Sequence, residues 1–260
     1  MRRWKYMGEQ VLDHGYVSLV ETWGSDKTII ESARMSTGKG FLGWGPMHKT
    51  DCPRRQMLGS GVRVACDCKE PGDEKLLAYL YKHHHTTPFE MAGATFEIQA
   101  PIFVFREWHR HRTQSYNEMS ARYIPLPDIS YMPTIERLQM EGGANKQAQG
   151  SGKVTNAIAT NFQSDLEEFY ITVERIYQEA LRNGIPKELA RLVLPVSRYS
   201  RMRASANLLN WIRFLRLRAA PNAQWEIQQY ANQVSIQLEQ KFPRTMHLFL
   251  EEQDEHGRTS

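Results

Sequence analysis

Ala100-Pro-Ile-Phe-Val-Phe-Arg-Glu-Trp-His-Arg-His-Arg-Thr-Gln-Ser-Tyr-Asn-Glu-Met-Ser-Ala-Arg-Tyr123 is the segment on which the reading of this 260-residue chain turns. Arg106, Arg110, Arg112 and Arg122 share it with two histidines, two glutamates and an apolar run. Pro101 stands where the first turn of a helix tolerates proline, since that N–H would be unpaired anyway. A helix starting there sets Arg106, Glu107 and Arg110 on adjacent ridges. A polar, turn-rich piece is expected from Thr113 to Asn117. Guanidinium forks at this density suit a polyanionic ligand, because they pair with phosphate in bidentate fashion. They equally suit a solvated basic helix face with structural ion pairs, and composition alone leaves both readings open.

Upstream, Ala94-Thr-Phe-Glu-Ile-Gln99 alternates as a strand should, with Phe96 and Ile98 on one face. Before it, Leu76, Leu77, Leu80 and Tyr81 fall at helical spacing and predict a helix over Asp73 to Lys82. His83-His84-His85 follows directly; three adjacent histidines cannot share one face, so they do not form a metal cage by themselves. From Gly43 to Lys69 the sequence is irregular and holds all three cysteines, Cys52, Cys66 and Cys68. With His48 these are four potential zinc ligands, but Cys-x-Cys with a long gap is not a zinc spacing, and no metal site is expected. Near the start, Tyr16 to Trp23 reads as a strand, and Asp26 as the cap of a helix through Ala33.

Downstream, Tyr123 to Pro133 is proline-rich and extended, and Glu141 to Lys153 lacks core-forming residues and is expected to be a flexible loop. Asn156 to Arg182 is a long helix whose stripe of Ile158, Phe162, Leu166, Phe169, Val173, Ile176 and Ala180 belongs to a core or a subunit interface. A short helix is expected from Pro186 to Leu194, and longer ones over Ser205 to Leu217 and, capped by Asn222, over Ala223 to about Lys241, where Pro243 breaks it. The arginines near the end of the Ser205 helix, Arg218 among them, also fit a simple response to the helix dipole.

Length allows one sizeable core, and a single domain over 1–260 is expected. A net charge of +4 is too mild a footprint for nucleic-acid binding. No apolar run long enough to span a membrane exists, and Met-Arg-Arg-Trp-Lys at the start has no apolar segment behind it. Three cysteines fit a reducing compartment. A cytoplasmic protein is expected, of a bacterium or of a virus-infected host cell.

Arg110-His111-Arg112, seven residues and then Ser120 resembles the signature of the flavin-dependent thymidylate synthases. Thr-Pro-Phe-Glu (Thr87 to Glu90), the Ala-Pro-Ile-Phe-Val leading in, the Ser-Tyr-Asn-Glu-x-Ser-x-Arg-Tyr leading out, and Ala223 to Ala231 are similar to that family too. The resemblance implies an α+β fold, with a mixed, mostly antiparallel central sheet flanked by long helices, in a homotetramer with active sites between subunits. It implies reductive methylation of dUMP to dTMP, with methylenetetrahydrofolate as carbon donor, FAD as hydride carrier and NADPH as its reductant. The cofactor does the reduction and the protein supplies position and electrostatics, so no cysteine nucleophile is needed. A pyrimidine nucleotide hydroxymethylase on the same fold is the alternative.

Carried over by position, the resemblance puts Glu107, Arg110, Glu118, Met119, Ser120, Ala121, Arg122, Arg191 and Arg218 at dUMP. It puts Ser36, Thr87, Glu90, Arg110, His111, Arg112, Glu118 and Asn207 at FAD. His85, Arg191 and Arg218 are the expected catalytic group, with Ser120 a positioning group and Tyr123 closing the motif. Glu107 stands where some members have glutamine, which calls for a neighbouring arginine, Arg106 or Arg110. Leu209, Arg213 and Asn222 depart from polar flavin-side residues of other members.

Overall fold

The computed structural model describes residues 8–45, 47–48, 69–70, 72–140 and 153–259. Strands β1 (Glu9–Val11) and β2 (Gly15–Trp23) form an antiparallel hairpin in which Val11 faces Gly15. Gly15 is required there by close approach, since a Cβ would lie 1.9 Å from the Tyr230 hydroxyl and 2.9 Å from the Gln99 carbonyl oxygen. Helix α1 (Asp26–Arg34) is capped by Ser25 rather than Asp26: the Ser25 Oγ accepts from the Thr28 N–H at 3.3 Å. A two-stranded ribbon of β3 (Met47–His48) and β4 (Lys69–Glu70) lies within the irregular segment. Cys52, Cys66 and Cys68, the His48 side chain and residues 141–152 of the expected loop fall outside the described residues.

Helix α2 (Asp73–Lys82) runs as its spacing predicts, with Leu77 and Leu80 buried. After the short helix α3 (Thr87–Glu90) comes β5 (Gly93–Pro101). Its expected alternation is replaced by burial on both faces, Glu97 alone being partly exposed. Thr95 and Gln99 tolerate this because each has a partner: Thr95 Oγ1 lies 3.0 Å from Ser205 Oγ, and Gln99 Nε2 donates to the His14 carbonyl at 2.7 Å. Pro101 is the cap of α4 (Ile102–Trp108) rather than a residue of its first turn. Most of the expected turn after it, Thr113 to Asn117, is taken up by a strand, β6 (Ser115–Glu118); α5 (Ile135–Gln139), α6 (Asn156–Arg182) and α7 (Lys187–Ala190) follow, the last continued by a 3₁₀ turn over Arg191–Val193.

Strand β7 (Tyr199–Asn207) corrects the sequence reading, which began a helix at Ser205. The small residues Ala204 and Ala206, with Met202, are buried, while Arg203 and Ser205 between them are not, a period of two. Helix α8 (Leu208–Arg218) starts only where that period ends. Helix α9 (Trp225–Lys241) begins two residues later than expected, and Pro243 both breaks it and opens a further helix, α10 (Pro243–Thr259). The main sheet has the order β1-β2-β5-β7-β6, with β6 antiparallel to β7. This is the expected α+β arrangement. No helix among the described residues is long and apolar enough to cross a membrane.

The chain forms two compact units. The first holds the described residues up to Glu21 together with those of Thr95–Ala206 and Arg213–Ile236, and contains nearly all of the main sheet. Its core includes Phe96, Ile98, Trp108, Tyr199, Phe214 and Tyr230. The second holds Thr22–Ala94, Asn207–Ile212 and the chain from Gln237 on, around Ile29, Leu77, Phe89, Trp211 and Phe249.

Two buried aspartates organise the second unit. Asp26, 4% exposed, accepts from the N–H groups of Arg244 (2.9 Å) and Thr245 (3.1 Å) and from the Thr245 hydroxyl (2.6 Å), so it caps α10 from far along the chain. Asp73 takes the Arg34 guanidinium and the N–H groups of Leu42 (2.7 Å) and Gly43 (3.3 Å). Asp26→Ala leaves three buried donors without their acceptor and is expected to lower unfolding free energy by about 3 kcal/mol in urea titration. Asp26→Asn, which keeps an acceptor, is expected to cost about half as much.

Candidate functional site

The Arg-His-Arg turn rests on a buried tryptophan. Trp108 ends α4 fully buried, packed against Phe214 at a centroid distance of 4.5 Å, with its indole N–H donating to Gln114 Oε1 at 3.1 Å. The chain then winds through successive turns, the His111 N–H donating to the Trp108 carbonyl (3.0 Å) and the Gln114 N–H to the His111 carbonyl (3.1 Å). The Tyr116 hydroxyl, on β6, reaches back to the same two carbonyls at 3.0 and 2.8 Å. Burial pushes the Tyr116 phenol well above its ordinary value of 10, which keeps that proton in place. The backbone is thus held from beneath while the side chains of Arg110 and Arg112 face solvent. Two exposed guanidiniums on a fixed turn are a donor set that fits the pyrophosphate of a dinucleotide.

Arg218, the last residue of α8, closes on this turn. Its Nε donates to His111 Nε2 (3.0 Å), one terminal nitrogen to Glu107 Oε2 (3.1 Å) and the other to the Glu107 carbonyl (3.1 Å). The partner of Glu107 is therefore Arg218, not Arg106 or Arg110. His111 accepts at Nε2, so its proton sits on Nδ1. Burial, reinforced by Arg218, lowers the His111 pKa to about 4 from its ordinary 6.5, and the ring is neutral at physiological pH. Burial lifts the Glu107 carboxyl above its ordinary value; Arg218 opposes that lift and Glu226 adds to it.

A cavity of about 330 Å³ opens beside β6. Glu118, Met119, Ser120, Ala121 and Arg191, residues from two distant parts of the chain, line it with Ile102, Leu126, Leu194 and Ser200. Ser120 begins a tight turn, its carbonyl accepting from Tyr123 (3.0 Å) and Ile124 (3.2 Å) and its Oγ from the Arg122 N–H at 3.3 Å. Arg122 pairs with Glu188 at 3.6 Å, and the Arg191 Nε donates to the Glu188 carbonyl at 3.3 Å. Both arginines are exposed, so these contacts are weak and exchangeable.

The remaining expected residues belong to the second unit. Ser36, exposed in a 3₁₀ turn, donates to the Ala33 carbonyl at 3.2 Å. Thr87 and Glu90 are exposed on α3, and His85 is exposed with its ring 5.6 Å from that of Tyr79. Asn207 caps α8 through its Oδ1, which accepts from the Asn210 N–H at 3.0 Å. Leu209 follows on α8, while Arg213 on the same helix and Asn222, three residues before the start of α9, belong to the first unit.

Four contributors escaped the sequence reading. Tyr116 falls in the piece expected to be turn, and its clamp on two carbonyls is tertiary. Glu188 stands three residues before Arg191, a spacing that on a helix would have suggested a pair. Leu126 and Leu194 lie in segments read as extended or as helix end, with no signal that they meet.

Two solved structures share this fold. The UMP/dUMP methylase PolB from Streptomyces cacaoi, bound with 5-Br UMP, superposes with a TM-score of 0.72 at 30% identity over 92% of this chain and 95% of its own. The same enzyme with 5-Br dUMP gives 0.72 at 29% over 94% and 97%. Flavin-dependent thymidylate synthases are similar in sequence: that of Thermosipho africanus is 36% identical over 94% of both chains, and that of Thermus thermophilus 36% over 93% of this chain and 77% of its own. Residues 18–244 match the family model described as thymidylate synthase complementing protein, and the chain belongs to that family.

The His111 shift has a measurable consequence. Above pH 6.5 the ring is neutral folded or unfolded and contributes no pH dependence. Between 6.5 and about 4 the unfolded chain takes up a proton that the folded chain refuses, so stability falls with pH across that window. Urea unfolding is expected to show a larger stability loss from pH 7.5 to 4.5 in the wild type than in His111→Gln.

Proposed function

We propose that this chain is a flavin-dependent thymidylate synthase that methylates dUMP to dTMP. The observation carrying this reading is the cavity, where the segment Glu118 to Ala121 meets Arg191 across some seventy residues of sequence. Its size suits a small nucleotide. In this reading Arg122 and Arg191 exchange their loose contacts at Glu188 for the nucleotide, with bidentate guanidinium pairing as the gain. Glu118, Met119, Ser120 and Ala121 form the cavity wall around it, and Ser120 positions rather than attacks. Arg218, held by Glu107 and His111, presents a fixed positive charge toward a pyrimidine carbonyl, the oriented stabilisation that makes C5 chemistry feasible. Arg110 joins the dUMP site to the flavin site.

FAD, when bound, supplies the hydride. Arg110, His111, Arg112, Glu118, Ser36, Thr87, Glu90 and Asn207 are the residues proposed to hold it, with His85 on the folate side. NADPH and methylenetetrahydrofolate are the proposed co-substrates. The family match runs through both units, which supports one functional domain. The proposed location is the cytoplasm.

The proposed assembly is a homotetramer. The stripe of Ile158, Phe162, Phe169 and Ile176 on α6 is exposed, whereas Ala159, Val173 and Tyr177 of the same helix are buried. A row of large apolar side chains on a 27-residue helix is a surface for a second copy. Light scattering of the double variant Phe162→Glu, Phe169→Glu is expected to show a smaller species than the wild type.

The test of activity is an anaerobic visible spectrum with FAD, followed by NADPH, dUMP and methylenetetrahydrofolate, with product separation. Flavin bleaching followed by dTMP is the expected result; UMP run in parallel tests whether the ribonucleotide is also taken. Flavin binding without any methylated product would overturn the proposed reaction, and absence of flavin binding the proposed cofactor. Arg191→Ala is expected to weaken dUMP binding by about tenfold or more, measured by calorimetry on the FAD-loaded protein.

A further inference from the structure

Ser200 stands in the lining of the cavity, and neither the family signature nor the arginines explain why a serine should be there. Ser200, on β7, is 0% exposed, and its Oγ has no hydrogen-bond partner among the described residues. A buried hydroxyl without a partner is costly, and proteins seldom leave one in a wall where alanine would pack as well. The register of β6 on β7 shows why it stands there. Glu118 pairs with Met202, and the Met119 N–H donates to the Arg201 carbonyl at 2.7 Å, which carries the ladder one residue beyond β6. The same register sets Ser120 opposite Ser200, and both line the cavity. Ser120 already accepts from the Arg122 N–H; Ser200 is the member of the pair with its hydrogen-bonding capacity unspent.

We propose that Ser200 is a nucleotide-binding residue, donating its hydroxyl to an oxygen of the pyrimidine nucleotide from the inner wall of the cavity. This rests on the thymidylate synthase reading of the site. The surroundings favour a neutral oxygen of base or sugar: Ile102, Leu126 and Leu194 share the wall, while the exposed Arg122 and Arg191 suit the phosphate.

The role has a signature that a structural serine lacks. Ser200→Ala removes an unpaired buried hydroxyl, so the melting temperature of the FAD-loaded protein without nucleotide is expected to be unchanged or raised. The dissociation constant for dUMP by calorimetry is expected to rise by about 3- to 10-fold. Ser200→Cys, a weak donor of similar shape, is expected to fall between the two. Deoxyuridine serves as the phosphate-free probe. An equal fold loss for dUMP and deoxyuridine places the contact on base or sugar, and a loss confined to dUMP overturns the neutral-oxygen assignment. Unaltered dUMP affinity in Ser200→Ala, or a lowered melting temperature with unaltered affinity, overturns the binding role. Failure of the wild type itself to bind dUMP overturns the functional reading and the role of Ser200 together, a result separable from loss in the variant alone.

Discussion

Burial of Trp108 is the constraint on which the functional half of the chain depends. An indole with no exposure cannot shift without opening a void among Phe214 and its neighbours, and its N–H needs a partner in the same place. Gln114 supplies that partner, which fixes where the chain must be six residues later. Everything between them, His109 to Thr113, is thereby a short bridge of set span. Tyr116 then ties β6 to the carbonyls of that bridge. A rigid turn lets two guanidiniums stand in solvent with their backbone already placed, so little ordering remains to oppose binding of an anion.

Charge is handled differently at the two ends of the site. Around Arg218 it is settled internally: a carboxylate, a carbonyl and a neutral imidazole occupy the guanidinium, and burial makes each of those contacts stronger than it would be in water. Around Arg122 and Arg191 it is left open, since Glu188 holds one through an exposed ion pair and the other through a carbonyl. Under the proposed function, Arg218 as the ring-orienting arginine gains from being fixed, whereas Arg122 and Arg191 as phosphate ligands gain from a partner they can leave. Elsewhere buried ionised groups act as structural joints. Arg198 spans Asp128 and Glu174, and Glu226 binds Arg137 at 2.7 Å while accepting from Tyr131, which keeps α5 and α9 in register.

Much of this was legible in the residues. Helices α2 and α6 follow from apolar spacing alone, and the presence of strands β2 and β5 from alternation, although β5 is buried on both faces. The failures share a cause. Ser205 to Asn207 were read as helix because alanines, leucines and arginines follow them, yet β7 takes them into the sheet between β5 and β6. Ser115 to Asn117 read as turn because Ser and Asn are poor strand formers, and pairing with β7 overrides that preference. Asp26 looked like a local cap but serves a helix more than two hundred residues away.

The sequence by itself determined which elements have a strong period, and its ordered motifs determined the family, because both are properties of short stretches of chain. Through the resemblance it implied that Glu107 needs an arginine, since a carboxylate beside a nucleotide phosphate calls for one. Only the tertiary structure decided that the arginine is Arg218, that Glu118 to Ala121 share a cavity with Arg191, and that Ser200 faces Ser120. Those choices depend on strand register and helix placement, which are fixed by contacts between residues far apart in sequence, and a linear pattern carries no record of them.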